Sequence, residues 1–341
     1  MQYLELSIRN ERFCAYPASG VPRCLWLHYP VRGGAPLRGL LQILSMLRLD
    51  RLFLRRTENP IADCGCEAEN LRLVLCEVLH KADVNLALAW PAPSRSAGRT
   101  YAYAFSSDGT MLAYVKMASM EKDAAELSRE VKALRLLMQK DGLPFSFPAV
   151  LHEGVLGECV KYAVFSMLPL VTDNVSWTSR SWDESLRALH DSFAIGTERR
   201  LTKDEALSSE WAVAFKVRCG VDDNAIVARA CEKGAEVSAN HGDMALHNIR
   251  RKDGRWWLFD WETYSEDSPV LVDELTVYVC TRYFIEKCGY ENLVTQMKKD
   301  YPVENKTVAV RVVQAAAFIY AYDLSFADEF LCIFREYGRA L

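Results

Sequence analysis

Residues 240–262, NHGDMALHNIRRKDGRWWLFDWE, bring His241, Asp243, Asn248 and Asp260 into one short segment. Asp253-Gly254 is a strong two-residue turn signal, and the flanking NIRR and RWWLFD read as the arms of a hairpin. In an antiparallel hairpin the start of the first strand lies beside the end of the second. Asn248 and Asp260 are therefore expected at one end of it, with His241 and Asp243 in the loop just before. That set suits a hard divalent cation, since Mg²⁺ takes oxygen ligands from one or two side chains and from phosphate oxygens. Asn248 and Asp260 are the expected ligands. Asp243 is a carboxylate placed to accept or orient a proton of a substrate hydroxyl. Together they point to phosphoryl transfer, in which positioning and metal charge do most of the work. A zinc site is disfavoured because His241 and Asp243 lack a third clear ligand. A Ser-His-Asp triad is excluded by the absence of a GxSxG elbow.

Elements able to position these residues are visible along the chain. VNLALAW, RTYAYAF and TMLAYVKMA read as three strands, and MEKDAAELSREVKALRLLMQKDG as a charged helix ending at Gly142. FPAVLHEG and KYAVFSMLPL supply two more strands. From about residue 170 the pattern is mainly helical. WDESLRALHDSFAIG, DDNAIVARACEKGAEVS, VLVDELTVYVCTRYFIEKCG, ENLVTQMKKDY and the block from Glu304 to Gly338 all carry helical spacing. Trp256, Trp257 and Trp261 are read as core residues that fix the hairpin.

The N-terminal part has a different character. MQYLELSIRNERFCAYP carries strand-like stretches, PLRGLLQILSMLRLDRLFLRR reads as one amphipathic helix, and CEAENLRLVLCEVLHKA as another. Up to Glu58 there are nine Arg, no Lys and four acids, a charge of +5 against −9 for the remainder of a chain of net charge −4. The favoured reading of the basic helix is one docked on the next domain with its arginines in water. Contact with an anionic membrane surface or glycan is the alternative.

The 341 residues and ordinary globular composition allow a large two-lobed protein. The net charge gives no basic field for nucleic acid. Eleven scattered cysteines without framework spacing read as reduced thiols in a cytoplasmic protein. Cys64 and Cys66 are not expected to hold a metal. No signal peptide or transmembrane helix is expected.

Asp243, then Asn248 five residues on, then Asp260 after a short hairpin resembles the catalytic loop and metal aspartate of kinases. HGD and DWE at these positions are similar to the aminoglycoside phosphotransferase and choline kinase group. The spacer departs from the group's common HGDLHPGN: here HGDMALHN has Ala245 and His247. It is closer to an HGD-x-x-P-W-N form associated with bacterial polysaccharide gene neighbourhoods. Residues 1–60 lie outside the common fold, and VPRCLWLHYPVRGGAPLRGLL is similar to the leader part of those glycan-cluster phosphotransferases.

The resemblance covers residues 83–341 and implies an α+β, bilobal protein-kinase-like fold. It has a five-stranded antiparallel N-lobe at 83–169, a mainly helical C-lobe at 170–341 and an α/β extension at 1–82. It implies ATP, with GTP as an alternative donor, and Mg²⁺. Lys116 on the third strand and Glu130 on the next helix would hold the α- and β-phosphates, with Glu126 the competing choice. Ser94 and Ser96 in PSRSAG would contact phosphate, and backbone near Met167 and Leu168 would face the base. Asp243 would be the catalytic base or hydroxyl orienter, His241 a catalytic-loop residue that props it, and Asn248 and Asp260 the metal ligands. The role of Glu262 stays open, and His247 is placed behind the ligands. The acceptor would be a hydroxyl of a small molecule or saccharide, with Asp323, Asp328 and Glu329 as acids for a cationic one. A non-catalytic kinase-like binding protein and a membrane-surface glycan kinase are the competing functions. Oligomeric state is not legible.

Overall fold

The structure, a computed structural model, describes residues 2–8, 11–19, 43–44, 47–91, 98–169, 184–322 and 327–341. The chain divides into two compact units, Met1–Arg135 with Pro148–Val171 and Leu136–Phe147 with Thr172–Leu341.

The first unit is built on one antiparallel sheet. Its strands are β1 (Tyr3–Ile8), β2 (Glu11–Pro17), β3 (Arg55–Thr57), β4 (Asn85–Ala89), β5 (Arg99–Phe105), β6 (Met111–Ala118), β8 (Val150–Leu156) and β9 (Val160–Ser166). A two-residue strand β7 (Phe145–Ser146) belongs to the second unit. The order is β3-β1-β2-β4-β5-β6-β9-β8, so the five strands expected over 83–169 are continued by three from the N-terminal extension into one sheet of eight. The reason is the free edge of β4. β2 is almost wholly buried there, pairing Cys14 with Ala89 and Ala15 with Leu88. The N-terminal segment thus extends the sheet.

Helix α2 (Ala68–Val78) buries Leu71 and Leu75 in a cluster with Leu86, Leu88, Ala102, Ala104, Val115, Met117 and Val164. The two-residue period of β6 sends Val115 and Met117 to that cluster and Lys116 to the opposite face. Helix α3 (Glu121–Leu137) buries Leu127, Val131 and Leu134 at three- and four-residue spacing, and Glu130 lies within the same inward stripe.

Over its described residues, the helix expected over 36–56 gives way to a single turn and a strand. Arg48 has a positive φ of 57°, α1 (Asp50–Phe53) is a single turn, and the chain then extends as β3. Asp50 is buried and accepts a hydrogen bond from the Tyr16 hydroxyl at 2.9 Å. That tie and the pairing of Arg55–Thr57 with β1 outweigh the helical periodicity.

The second unit is mainly helical. Its helices are α4 (Glu184–Ala194), α5 (Lys203–Ser208), α6 (Glu210–Arg218), α7 (Val221–Ala230), α8 (Val272–Cys280), α9 (Tyr290–Asp300), α10 (Lys306–Ala321) and α11 (Ala327–Gly338). Asn305 caps α10, its side chain accepting from the N–H groups of Thr307 and Val308. Ala315, Ala316 and Ala317 let α10 run through the centre, packed by α11, α6, α8 and α7. A helix apolar all round belongs in a core.

Small sheets carry the site. One orders β10 (Arg199–Leu201), β11 (Ala235–Asn240) and β14 (Ser265–Pro269). The other orders β12 (Ile249–Lys252), β13 (Arg255–Leu258) and β7. The helical reading of 222–238 is thereby shortened. α7 stops at Ala230, and at Gly234 (φ 83°) any Cβ would press into the Leu201 carbonyl, so the chain turns there and enters β11. Among the described residues no helix is long and apolar enough to cross a membrane, and the ten described cysteines are free thiols.

Candidate active site

The hairpin forms as its sequence dictates. Ile249 pairs with Leu258 and Lys252 with Arg255, and Asp253 and Gly254 both take positive φ in the turn. Phe259 N–H donates to the Asn248 carbonyl at 3.2 Å, which fixes the open end. Asp260 follows at φ 69°, a left-handed conformation that Asp tolerates better than most residues. Trp261 is fully buried against Phe145 and Phe193, its indole N–H donating to the Leu258 carbonyl at 3.3 Å. Trp256 and Trp257 are only half-buried, a correction to their reading as core, and Arg251 lies over the Trp256 ring.

The loop before the hairpin is pinned from several sides. The His241 ring is buried, its Nδ1 accepting from Asp243 N–H at 3.3 Å and its Nε2–H donating to the Phe259 carbonyl at 3.1 Å. This neutral tautomer ties the Asp243 loop to the segment carrying Asp260. Burial pushes the His241 pKa down, which keeps the ring neutral. Thr263 Oγ donates to the His241 carbonyl at 3.2 Å. Gly242 (φ 87°) must be glycine, because a Cβ would drive into the Thr263 carbonyl oxygen.

Asp243 sits within this frame, its side chain 15% exposed. Its Oδ2 accepts from Asn248 Nδ2 at 3.1 Å, and the same amide donates to the Asp243 carbonyl at 3.0 Å. Its Oδ1 is buried with no hydrogen-bond partner. Burial first, then repulsion from Asp260, pushes its pKa up to about 7. His247 Nε2 stands 4.0 Å from Oδ2.

A carboxyl whose folded pKa lies above its ordinary value favours the folded state while protonated. That contribution is present at pH below the ordinary carboxylate range and is lost as pH rises through about 7. In metal-free protein, Asp243→Asn is therefore expected to melt several degrees above wild type at about pH 8, and together with it near pH 4. Melting curves across that range check it; a wild type that melts higher than the variant at alkaline pH would contradict it.

Two residues that the sequence reading missed hold the loop. Asp273, buried in the first turn of α8, accepts from His241 N–H at 2.8 Å and from Gly242 N–H at 2.9 Å, one on each oxygen. His190 on α4 donates from Nε2 to Asn240 Oδ1 at 3.2 Å and lies 3.8 Å from Asp273 Oδ2. The available signal was a pair of acids, Asp273 and Glu274, within the otherwise apolar run VLVDELTVYV, since a carboxylate buried there must have partners.

In the first unit, Lys116 Nζ reaches both carboxylate oxygens of Glu130 at 2.9 and 2.8 Å. The Glu130 side chain is 0% exposed and that of Lys116 12%. Glu126 pairs instead with Arg99, which also bridges to Asp123 at 3.2 Å. Lys116→Ala would strand a buried carboxylate and is expected to cost about 3–5 kcal/mol. Lys116→Ala/Glu130→Gln should recover part of that loss in denaturant titrations. Equal stability of the two variants would contradict the pairing.

Met167 and Leu168 follow the end of β9, half-buried, with Met167 packed against the cluster of Leu4, Cys14 and Tyr16. Ser94 and Ser96 lie outside the described residues, as does Asp323. Asp328 is exposed, and Glu329 accepts from the Tyr283 hydroxyl.

Comparison with solved structures gives the fold. Over 80% of this chain and 98% of the other, it superposes on a thermostable mutant of aminoglycoside phosphotransferase APH(4)-Ia in a ternary complex with ADP and hygromycin B, with 12% identity and a TM-score of 0.51. A second mutant of that enzyme, with AMP-PNP and hygromycin B, matches over 80% and 99% at 12% identity and a TM-score of 0.50. At this identity the likeness is one of fold, and the fold is the α+β, kinase-like one expected from the sequence. No protein-family model matches the chain, and no curated protein matches it.

Proposed function

We propose that this chain, folded like an aminoglycoside phosphotransferase, moves the γ-phosphate of ATP or GTP to a hydroxyl of a small molecule or saccharide. The observation that carries the reading is the grouping of Asp243, Asn248 and Asp260. The Asn248 amide is tied to the carbonyl and carboxylate of Asp243, the Asn248 carbonyl is tied to the N–H of Phe259 next to Asp260, and one buried Asp243 oxygen lacks a hydrogen-bond partner.

The donor set fits Mg²⁺. It consists of oxygens alone, its two carboxylates repel one another, and the Asn248 amide is turned so that its nitrogen faces Asp243. Asn248 and Asp260 would hold the ion. When bound, it neutralises charge on the transferring phosphoryl group.

Asp243 orients the acceptor hydroxyl and takes its proton. As the acceptor oxygen bonds to the γ-phosphorus, the bond from phosphorus to the β,γ-bridging oxygen breaks, leaving nucleoside diphosphate. Lys116, held extended by Glu130, binds phosphate oxygens of the nucleotide. His241 positions: both its nitrogens are committed to backbone groups, which leaves neither for proton transfer.

A coupled assay for nucleoside diphosphate release tests this, using Mg²⁺ with ATP or GTP over aminoglycosides, amino alcohols, nucleosides and sugars. Acceptor-dependent release with at least one class is expected. A Mg²⁺- and nucleotide-dependent thermal shift with no transfer to any acceptor would instead identify a binding protein.

A further inference from the structure

Residues 47–56 form a projecting basic and apolar turn at the end of the first unit's sheet. Leu47, Leu52 and Phe53 are 63%, 74% and 73% exposed, and Leu49 is exposed beside them. Arg48, Arg51, Arg55 and Arg56 are exposed in the same stretch. Its one acid, Asp50, is turned inward to the Tyr16 hydroxyl and the Arg51 N–H. Arg51 itself donates to the Ala18 carbonyl at 2.8 Å and not to a carboxylate. The exposed side chains of the stretch are thus four cations and four large apolar groups, with no exposed anion among them.

Arginines on an edge strand have an ordinary use, since charge on such a strand blocks pairing with other chains. That accounts for Arg55 and Arg56 on β3. It does not account for Leu52 and Phe53, which stand out from α1 next to it. Single exposed apolar residues are common, but a contiguous group rimmed by charge marks an interaction surface.

We propose that this turn docks the protein on an anionic lipid bilayer. Leu47, Leu52 and Phe53 enter the headgroup boundary, and the four arginines meet the lipid phosphates. Charge complementarity selects this occupant. The stretch carries only positive exposed charge, with one exposed acid, Glu58, just beyond it, whereas residues 59–341 sum to −9. The buried Asp50–Tyr16 bond and the pairing of β3 with β1 hold the turn ready for docking.

Vesicle co-sedimentation with the full chain tests the proposal, independently of any phosphotransfer. Vesicles of phosphatidylcholine with about a third phosphatidylglycerol should carry the protein down, less so at high salt, and pure phosphatidylcholine should not. Leu52→Asp/Phe53→Asp and Arg48→Glu/Arg51→Glu/Arg55→Glu should each reduce the bound fraction about tenfold with melting temperature unchanged. No binding to anionic vesicles would overturn the proposal, as would binding that survives in both variants. Self-association in sedimentation velocity that Leu52→Asp/Phe53→Asp abolishes, without vesicle binding, would assign the surface to a second copy and overturn it too.

Discussion

Asp243→Asn is expected to lower turnover by about a hundred- to ten-thousand-fold, the usual contribution of a positioned proton acceptor. The isosteric amide fills the same space and retains an oxygen for the Asn248 Nδ2 hydrogen bond. It removes the charge that repels Asp260. Nucleotide affinity should stay near wild type, because the Asn248 and Asp260 oxygens and Lys116 are untouched. The loss therefore belongs in kcat and not in KM for nucleotide. Steady-state kinetics on the best acceptor, with melting curves alongside, check this. Turnover within about threefold of wild type would remove the role given to Asp243.

Asp273→Ala should produce the largest loss of stability among single changes in the 240–262 loop and its supports. Its carboxylate is fully buried and takes the backbone N–H groups of both His241 and Gly242. Removing it leaves two buried donors unsatisfied, each costing about 1–3 kcal/mol, together with a cavity. A total of about 3–5 kcal/mol in denaturant titration is expected. The remaining folded protein should also turn over slowly, since a displacement of about 1 Å in a catalytic loop can cost a hundredfold. Asp273→Asn keeps the shape and one acceptor and should fall between wild type and Asp273→Ala on both readouts. Wild-type stability in Asp273→Ala would show that the loop finds its conformation without this carboxylate.

The legible part of the site was the part set by short-range geometry. Asp243, Asn248 and Asp260 come together because a two-residue turn closes a four-residue hairpin, and Asp253-Gly254 announces that turn. The strands around Lys116 were legible for a similar reason, since their two-residue alternation survives in the burial of β5 and β6. Asp273 and His190 were not. They act on the loop from about 30 and 50 residues away, and nothing local marks a buried acid on a helix as a receiver of backbone N–H groups. The sheet extension failed to show for the same reason: pairing of β2 with β4 crosses some 70 residues, and strand patterns do not name their partners.

The segment at 47–57 shows how periodicity misleads. Leu47, Leu54 and their neighbours recur at helical spacing, but Asp50 is tied to Tyr16 and the following residues complete a sheet edge. Tertiary pairing decides there: Leu54 packs against the cluster of Leu4, Cys14 and Tyr16, and Leu47, Leu49, Leu52 and Phe53 are left exposed.

The central claim is that Asn248 and Asp260 hold a divalent metal–nucleotide complex for Asp243 to act beside. Electron paramagnetic resonance of Mn²⁺ titrated into the full chain with a non-hydrolysable ATP analogue reads this directly. Wild type and Asp243→Asn should both immobilise the ion in a nucleotide-dependent way, and Asn248→Ala/Asp260→Asn should lose that signal while remaining folded. Undiminished nucleotide-dependent Mn²⁺ binding in the double variant would contradict the account.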